Sequence, residues 1–197
     1  MSVLLHLASG SAVRAQLLRQ AGLDFTASAA HFDEASVKGE QLAAGKAPKD
    51  IALSLAEGKA KSARSNARYT LGCDQVLHHN GRILSKAETR DDAAAVLASL
   101  QGDQHELISA AVILRDGCQL WTCARSVHLS MVPLSHADIE GYLSRAWPTV
   151  SDAVGCYHLE GLGVRLLSRV EGDYFTVLGL PLLEILSFLR AEGAISP

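Results

Sequence analysis

This sequence lacks most of the features that assign a chain to a membrane, a secreted scaffold or a nucleic acid. It has no run of 18 apolar residues, so no segment reads as a membrane-spanning helix. Its N-terminus lacks a basic stretch followed by a short apolar core, the pattern of a secretory leader, and a cytoplasmic location is expected. Lys and Arg number 18 against 21 Asp and Glu, a formal net charge of −3. That balance gives no general attraction for nucleic acid or an anionic membrane, so neither is expected as a partner. A polyanion would have to be drawn by a local cluster of cations. The four cysteines, Cys73, Cys118, Cys123 and Cys156, form neither a C-x-x-C pair nor a zinc-site spacing. Buried, reduced thiols are expected, with Cys118 and Cys123 able to face one another across a hairpin. Internal repeats, low-complexity tracts and long linkers are also missing. What is present is 197 residues, 48% hydrophobic and 20% charged. Such a chain can bury a core without disulfides or structural metal, and one domain spanning 1–197 is expected.

The local patterns mix helices and strands. Residues 3–8 read as a buried strand, and Ala15, Leu17, Leu18 and Ala21 give helical spacing that stops at Gly22. Residues 33–48 are the most polar, glycine-containing stretch and read as a loop over a site. Pro48-Lys49-Asp50 opens a helix to about Ala67, with Ile51, Leu53, Leu55, Ala56 and Ala60 as its apolar positions. Residues 69–77 read as a strand, and Asn80-Gly81 as a type I′ turn into 82–85. Residues 91–100 are helical, and 106–115 pairs with 120–132 across Asp116-Gly117. Ser135 caps a helix to Arg145 that Trp147-Pro148 ends. Residues 155–163 must be a loop, since three glycines in that run suit neither a strand nor a helix interior. Residues 164–170 and 175–178 carry apolar residues, and Pro181 opens a last helix to Arg190. Helices mixed with adjacent strands and hairpins point to an α/β protein with a mixed sheet.

Between the first strand and first helix, Leu7-Ala8-Ser9-Gly10-Ser11-Ala12-Val13-Arg14 sets two hydroxyls and backbone N–H groups at a helix N-terminus. Unpaired N–H donors and the positive end of the helix dipole together suit a phosphate, and Arg14 adds a planar cation one turn in. Ser11 acting only as an N-cap fits the same residues. Asp74 interrupts the apolar strand Leu71-Gly72-Cys73-Asp74-Gln75-Val76-Leu77. A carboxylate there needs a cation, a hydrogen-bond set or solvent, and a solvent-facing strand position meets that need most simply. Asp33-Glu34 in a polar stretch and lysines on a helix, among them Lys46, Lys59 and Lys61, are ordinarily solvated. His78-His79 precede a turn, match no metal motif and read as exposed. His105 reads as structural, and Asp173 and Tyr174 fit a turn and the core.

Taken in chain order, several of these pieces resemble the Maf family of nucleotide pyrophosphatases. They are Leu7-Ala8-Ser9-x-Ser11 with Arg14 and Leu17-Leu18; Asp33-Glu34; Leu55-Ala56-x-x-Lys59-Ala60; Gly72-x-Asp74-Gln75-Val76; Lys86; His105; Gly155-x-Tyr157-x-x-Glu160-Gly161-x-Gly163; and Gly172-Asp173-Tyr174 with Gly179-Leu180-Pro181-Leu182. The resemblance implies an elongated, twisted mixed β-sheet flanked by helices, with two lobes around a central cleft, as in inosine triphosphate pyrophosphatases. It implies a homodimer as well. The family's catalytic acid falls on Asp74, as general base for a water, as metal ligand, or both. Glu34 would share a divalent cation, Mg²⁺ or Mn²⁺, because a metal bridging phosphates takes one or two carboxylates and completes its octahedron with water. Ser9, Ser11, Arg14, Lys59 and Lys86 would hold the triphosphate.

The chain departs from the family pattern where Pro-Arg-Arg is replaced by Ala12-Val13-Arg14, Asp-Lys-Ala-Gly by Asp152-Ala153-Val154-Gly155, and Lys-Pro by Lys86-Ala87. Relatives acting on 7-methyl-GTP also lack the first two cations. At the base-reading positions this chain has Val13, Gln75 and Glu160. Gln and Glu match the 7-methyl-GTP group, whereas thymidine and uridine triphosphate enzymes commonly carry Arg, Thr and Gln. The expected activity is hydrolysis of a nucleoside triphosphate, of guanine type or modified, to the monophosphate and pyrophosphate, as house-cleaning of the nucleotide pool. The alternatives are a dTTP/UTP-type enzyme, or a nucleotide-binding regulator of division with little turnover.

Overall fold

The computed structural model describes residues 4–196; Val3, expected in the first strand, lies outside them. Seven strands are present among these residues: β1 (Leu5–Ala8), β2 (Phe25–Ser28), β3 (Tyr69–His79), β4 (Arg82–Leu84), β5 (Gln104–Arg115), β6 (Cys118–Met131) and β7 (Leu167–Glu171). They join in one mixed sheet of order β2-β1-β3-β5-β6-β7, with β4 on β3. The helices are α1 (Ala12–Gln20), α2 (Glu34–Ala43), α3 (Pro48–Ser62), α4 (Arg90–Leu100), α5 (His136–Ala146), α6 (Tyr174–Val177) and α7 (Leu182–Ala191). The expected α/β class with a mixed sheet is therefore what the chain adopts. No helix among the described residues is long and apolar enough to cross a membrane.

The chain divides into two compact units, and β3, β5 and β6 each change unit within their length. The first unit takes the chain through Gln75, then Ser109–Arg125, then everything from Leu178 on. Its strands β1 and β3 are parallel, with Leu5 opposite Tyr69 and Ala8 opposite Gly72. That register brings the Ser9 loop, just past the carboxyl end of β1, level with Cys73 and Asp74 in the middle of β3; loops at strand carboxyl ends are where open α/β sheets carry their ligands. Leu5, Leu7, Leu18, Ile51, Leu71 and Ile113 are fully buried in this unit. The second unit takes Val76–Ile108 and Ser126–Val177. Its core gathers Leu77, Leu97, Leu100, Leu129, Leu143 and Tyr157.

Local chemistry explains most boundaries. Ser11, Thr89 and Ser135 cap α1, α4 and α5, the last two through reciprocal boxes with Asp92 and Asp138. Asn80 and Gly81 both have positive φ, as a type I′ turn requires.

Three expectations are corrected, and one strand is added. Residues 33–48 are not a loop, because α2 occupies Glu34–Ala43 with Asp33 as N-cap accepting from the Ser36 N–H at 3.0 Å. Helix α3 stops at Ser62 rather than near Ala67: the Ser62 hydroxyl donates to the Lys59 carbonyl and Ser65 Oγ accepts from the Ala67 N–H, local bonds that compete with helix. Strand β2, which no sequence pattern marks, is a mostly exposed strand whose Thr26 and Ser28 hydroxyls bond the two ring nitrogens of His6. Cys118 and Cys123 both lie on β6, so they do not face one another; Cys118 is exposed and Cys123 half-buried, while Cys73 and Cys156 are buried and free as expected.

Candidate active site

The site begins with a missing side chain. At Gly72 a Cβ would stand 2.1 Å from the Ala56 carbonyl oxygen and 2.7 Å from the Ala60 nitrogen. Glycine lets α3 rest its backbone directly on β3, and the small Ala56 and Ala60 keep that contact close. Lys59, on the same stretch of α3, thereby reaches Asp74 two residues beyond Gly72. Its ammonium donates to Asp74 Oδ1 at 2.5 Å and pairs with Glu34 Oε2 at 2.9 Å. Asp74 and Lys59 are buried, while the Glu34 side chain is half exposed. The simplest reading of Asp74, a solvent-facing strand position, is thus wrong: the strand buries the carboxylate and supplies its cation from α3. Lys59 likewise leaves the solvated face, whereas Lys61 stays on it, paired with Glu57 at 2.6 Å.

Arg14 forms the second brace. Its Nε donates to the Gly179 carbonyl at 2.8 Å, and its Nη1 to the Cys73 carbonyl at 3.0 Å and to Ser9 Oγ at 3.3 Å. Gly179 has φ +87° and passes so close that a Cβ would meet the guanidinium at 3.2 Å. Ser9 Oγ also accepts from the Ser11 N–H at 3.2 Å, and Ser11 Oγ accepts from the Arg14 N–H at 3.3 Å. Ser11 is therefore an N-cap, and the loop is held in shape by its own hydroxyls.

Burial pushes the Asp74 carboxyl above the usual carboxylate range, and Lys59 and Arg14 offset this only in part. The neighbouring Cys73 thiol is pushed up to about 12 by burial and is inert as a nucleophile. A carboxyl of raised proton affinity is a stronger base than a free one toward water, and cations fixed beside it can face an anionic leaving group. Among the described residues no three His, Cys, Asp or Glu side chains cluster as a metal site. The pair Glu34 and Asp74 offers the one or two hard carboxylates that Mg²⁺ takes when phosphates and water supply the rest. Asp33 is engaged as the α2 cap.

The remaining expected residues divide between the units. Val13 is half-buried on α1, and Gln75 donates from Nε2 to Ser109 Oγ at 3.0 Å; both belong to the first unit. Lys86 and Glu160 belong to the second and are exposed. Glu160 sits in the 155–163 loop, which closes tightly on itself: a Cβ at Gly163 would meet the His158 carbonyl at 2.5 Å. His105 is structural as expected, buried against the Tyr157 hydroxyl at 2.6 Å. His79 is not exposed, but buried with its Nε2 3.0 Å from Asp103. Asp173 caps α6 by accepting from the Thr176 N–H and hydroxyl, whereas Tyr174 lies half exposed rather than in the core. Sequence reasoning missed the carbonyls of Cys73 and Gly179 and the hydroxyl of Ser109, which carry no sequence signal.

A buried acid braced by a lysine and an arginine, beside a serine loop at a helix N-terminus, is an arrangement chemically able to receive an anion and to move a proton. Residues 4–192 match the family model described as Maf-like protein. The chain is 49% identical over 191 residues to a nucleoside triphosphate pyrophosphatase of Roseobacter denitrificans, covering 96% of each. It is 48% identical over 197 residues to one of Ruegeria pomeroyi, covering 99% of each. A 7-methyl-GTP pyrophosphatase of Bartonella henselae is 42% identical over 188 residues, 94% of each. The chain belongs to the Maf family.

Proposed function

We propose that this protein hydrolyses a nucleoside triphosphate between the α and β phosphorus atoms, releasing a nucleoside monophosphate and pyrophosphate. The observation that carries the reading is the Lys59 ammonium set between Asp74 and Glu34 at 2.5 and 2.9 Å, in a chain 48–49% identical to proteins named for this activity. Asp74 takes the proton from the attacking water, a role its raised proton affinity suits. Arg14, Lys59 and the Ser9/Ser11 loop bind the phosphates. Glu34 and Asp74 would hold Mg²⁺ or Mn²⁺, which when bound polarises phosphoryl oxygens and offsets their charge.

The substrate we infer is a guanine-type or modified purine triphosphate such as 7-methyl-GTP. A carboxylate at Glu160 can accept from the adjacent N1–H and N2–H₂ donors of guanine, and N7-methylation would strengthen the pairing by adding positive charge. Thymine and uracil present one N3–H between two carbonyls, whose lone pairs a carboxylate there would meet. The name of the Bartonella relative supports the same class. Cleansing modified nucleotides from the precursor pool is the use that follows. The test is hydrolysis in ¹⁸O-water of a panel of nucleoside triphosphates with Mg²⁺. Label should enter the monophosphate, with the guanine-type substrates turned over fastest. Label in orthophosphate, with a diphosphate left behind, would make the protein a phosphatase instead.

A further inference from the structure

Helix α2 carries a cation that no motif marks. The half-buried positions of this otherwise exposed helix are Val37, Lys38 and Gln41, so they define its inward face. Lys38 follows Glu34 by four residues, which puts the two side chains on neighbouring positions of one helix face. Glu34 reaches the Lys59 ammonium at 2.9 Å, and Lys59 reaches Asp74 at 2.5 Å. Helix α2 packs on α3, with the Phe32 ring before it lying against Gly58, where a Cβ would meet the ring at 2.6 Å. Lys38 thus projects one turn along from Glu34, toward the Asp74 cluster.

Resting on the reading that this cluster receives the substrate, we propose that Lys38 is a third phosphate-binding cation, contacting the polyphosphate chain beside Arg14 and Lys59. Charge balance gives the reason. Within this unit the cluster otherwise sets Arg14 and Lys59 against Glu34 and Asp74 and is neutral, on a chain whose net charge is −3. Lys38 adds a positive charge to a cluster whose other side chains cancel, and so strengthens its attraction for a polyanion. Burial lowers the proton affinity of this ammonium, and Asp74 acts on it directly in the opposite direction, as its place beside the cluster requires.

The experiment compares wild type, Lys38→Gln and Lys38→Arg by steady-state kinetics and by calorimetric titration with inorganic tripolyphosphate. A charge-assisted hydrogen bond corresponds to about tenfold or more in affinity. Lys38→Gln should therefore raise KM and the tripolyphosphate Kd about tenfold, with the loss on KM rather than kcat, and Lys38→Arg should restore most of it. A Kd and KM unchanged in Lys38→Gln would overturn the proposal. So would equal losses in both variants accompanied by a lowered melting temperature, which mark a merely structural lysine. Asp74→Asn separates this from the parent reading. If that variant loses turnover while Lys38→Gln binds tripolyphosphate normally, only the role of Lys38 falls. If Asp74→Asn turns over normally while Lys38→Gln loses tripolyphosphate, the role of Asp74 falls and Lys38 stands.

Discussion

Replacing Gly72 by alanine tests whether the close seat of α3 on β3 builds the site. The added methyl would lie 2.1 Å from the Ala56 carbonyl oxygen, 2.7 Å from the Ala60 nitrogen and 2.8 Å from the Ala60 Cβ, where ordinary contact begins at 3.4 Å. Two of those atoms are helix backbone, so no rotamer change relieves the clash and α3 must back away. Overpacking of this kind costs about 1–3 kcal/mol. For a chain of this length each kcal/mol lowers Tm by about 2–4 °C, so a fall of roughly 2–12 °C is expected. Lys59 moves with the helix and loses its 2.5 Å bond to Asp74. A misplacement of about 1 Å can cost roughly 10²-fold in rate, so turnover should fall well beyond what the lost stability explains. Thermal unfolding by circular dichroism and pyrophosphate release at a temperature where both proteins are folded read the two effects separately. Gly39→Ala is the control: it lies in α2, and a Cβ there meets nothing within 4 Å, so helix propensity alone should make it neutral or slightly stabilising. Gly72→Ala melting within about 1 °C of wild type, with full turnover, would refute the reasoning.

Three other outcomes follow from the same geometry. Asp74→Asn should lower turnover roughly 10²–10⁴-fold, and should also lower Tm because the buried Lys59 then keeps only Glu34 as an ion-pair partner; near-normal pyrophosphate release from the folded variant would make Asp74 structural. His105 is held down to about 4 by burial, with His79 acting in the same direction and Asp103 against it. As pH falls below about 6.5 the unfolded chain therefore binds the proton first, and stability drains until about pH 4. Denaturant titrations should show His105→Gln losing about 2 kcal/mol less than wild type between pH 7 and pH 5, and equal losses would remove His105 from the account. Glu160→Gln combined with Gln75→Thr should shift the turnover ratio of guanosine to pyrimidine triphosphates toward pyrimidines, and an unchanged ratio would reject base reading by these residues.

The elements legible in the sequence are those that bury a regular stripe or carry turn chemistry. Strand β3, the Asn80-Gly81 turn, the capped helices α4 and α5 and the long pair β5 and β6 all appear within a few residues of their expected places. The failures share the opposite property. Helix α2 buries none of its residues completely and contains Gly39, so its polarity imitates a loop even though Asp33 caps it in the ordinary way. Strand β2 is mostly exposed and short, and its partner is chosen by parallel pairing with β1, a long-range fact. Buried His79 follows the same logic, since Asp103 arrives from a distant part of the chain.

The site was legible as a list of residues and illegible as an arrangement. Ala56-x-x-Lys59-Ala60 and Gly72-x-Asp74 stand twelve or more positions apart, and in space they form one structural device: two alanines and a glycine bring two backbones together so that a lysine meets an aspartate. Spacing within either motif cannot reveal this, because a glycine required by close approach has the same one-dimensional signature as a glycine required by a turn. Lys38 shows what such an error costs. Once 34–43 is read as a helix, the four-residue step from Glu34 puts Lys38 on the face that meets α3; read as a loop, the same step carries no meaning. A missed secondary structure with no buried apolar face thus hides function more readily than fold, since the fold survives without the assignment and the geometry of the site does not.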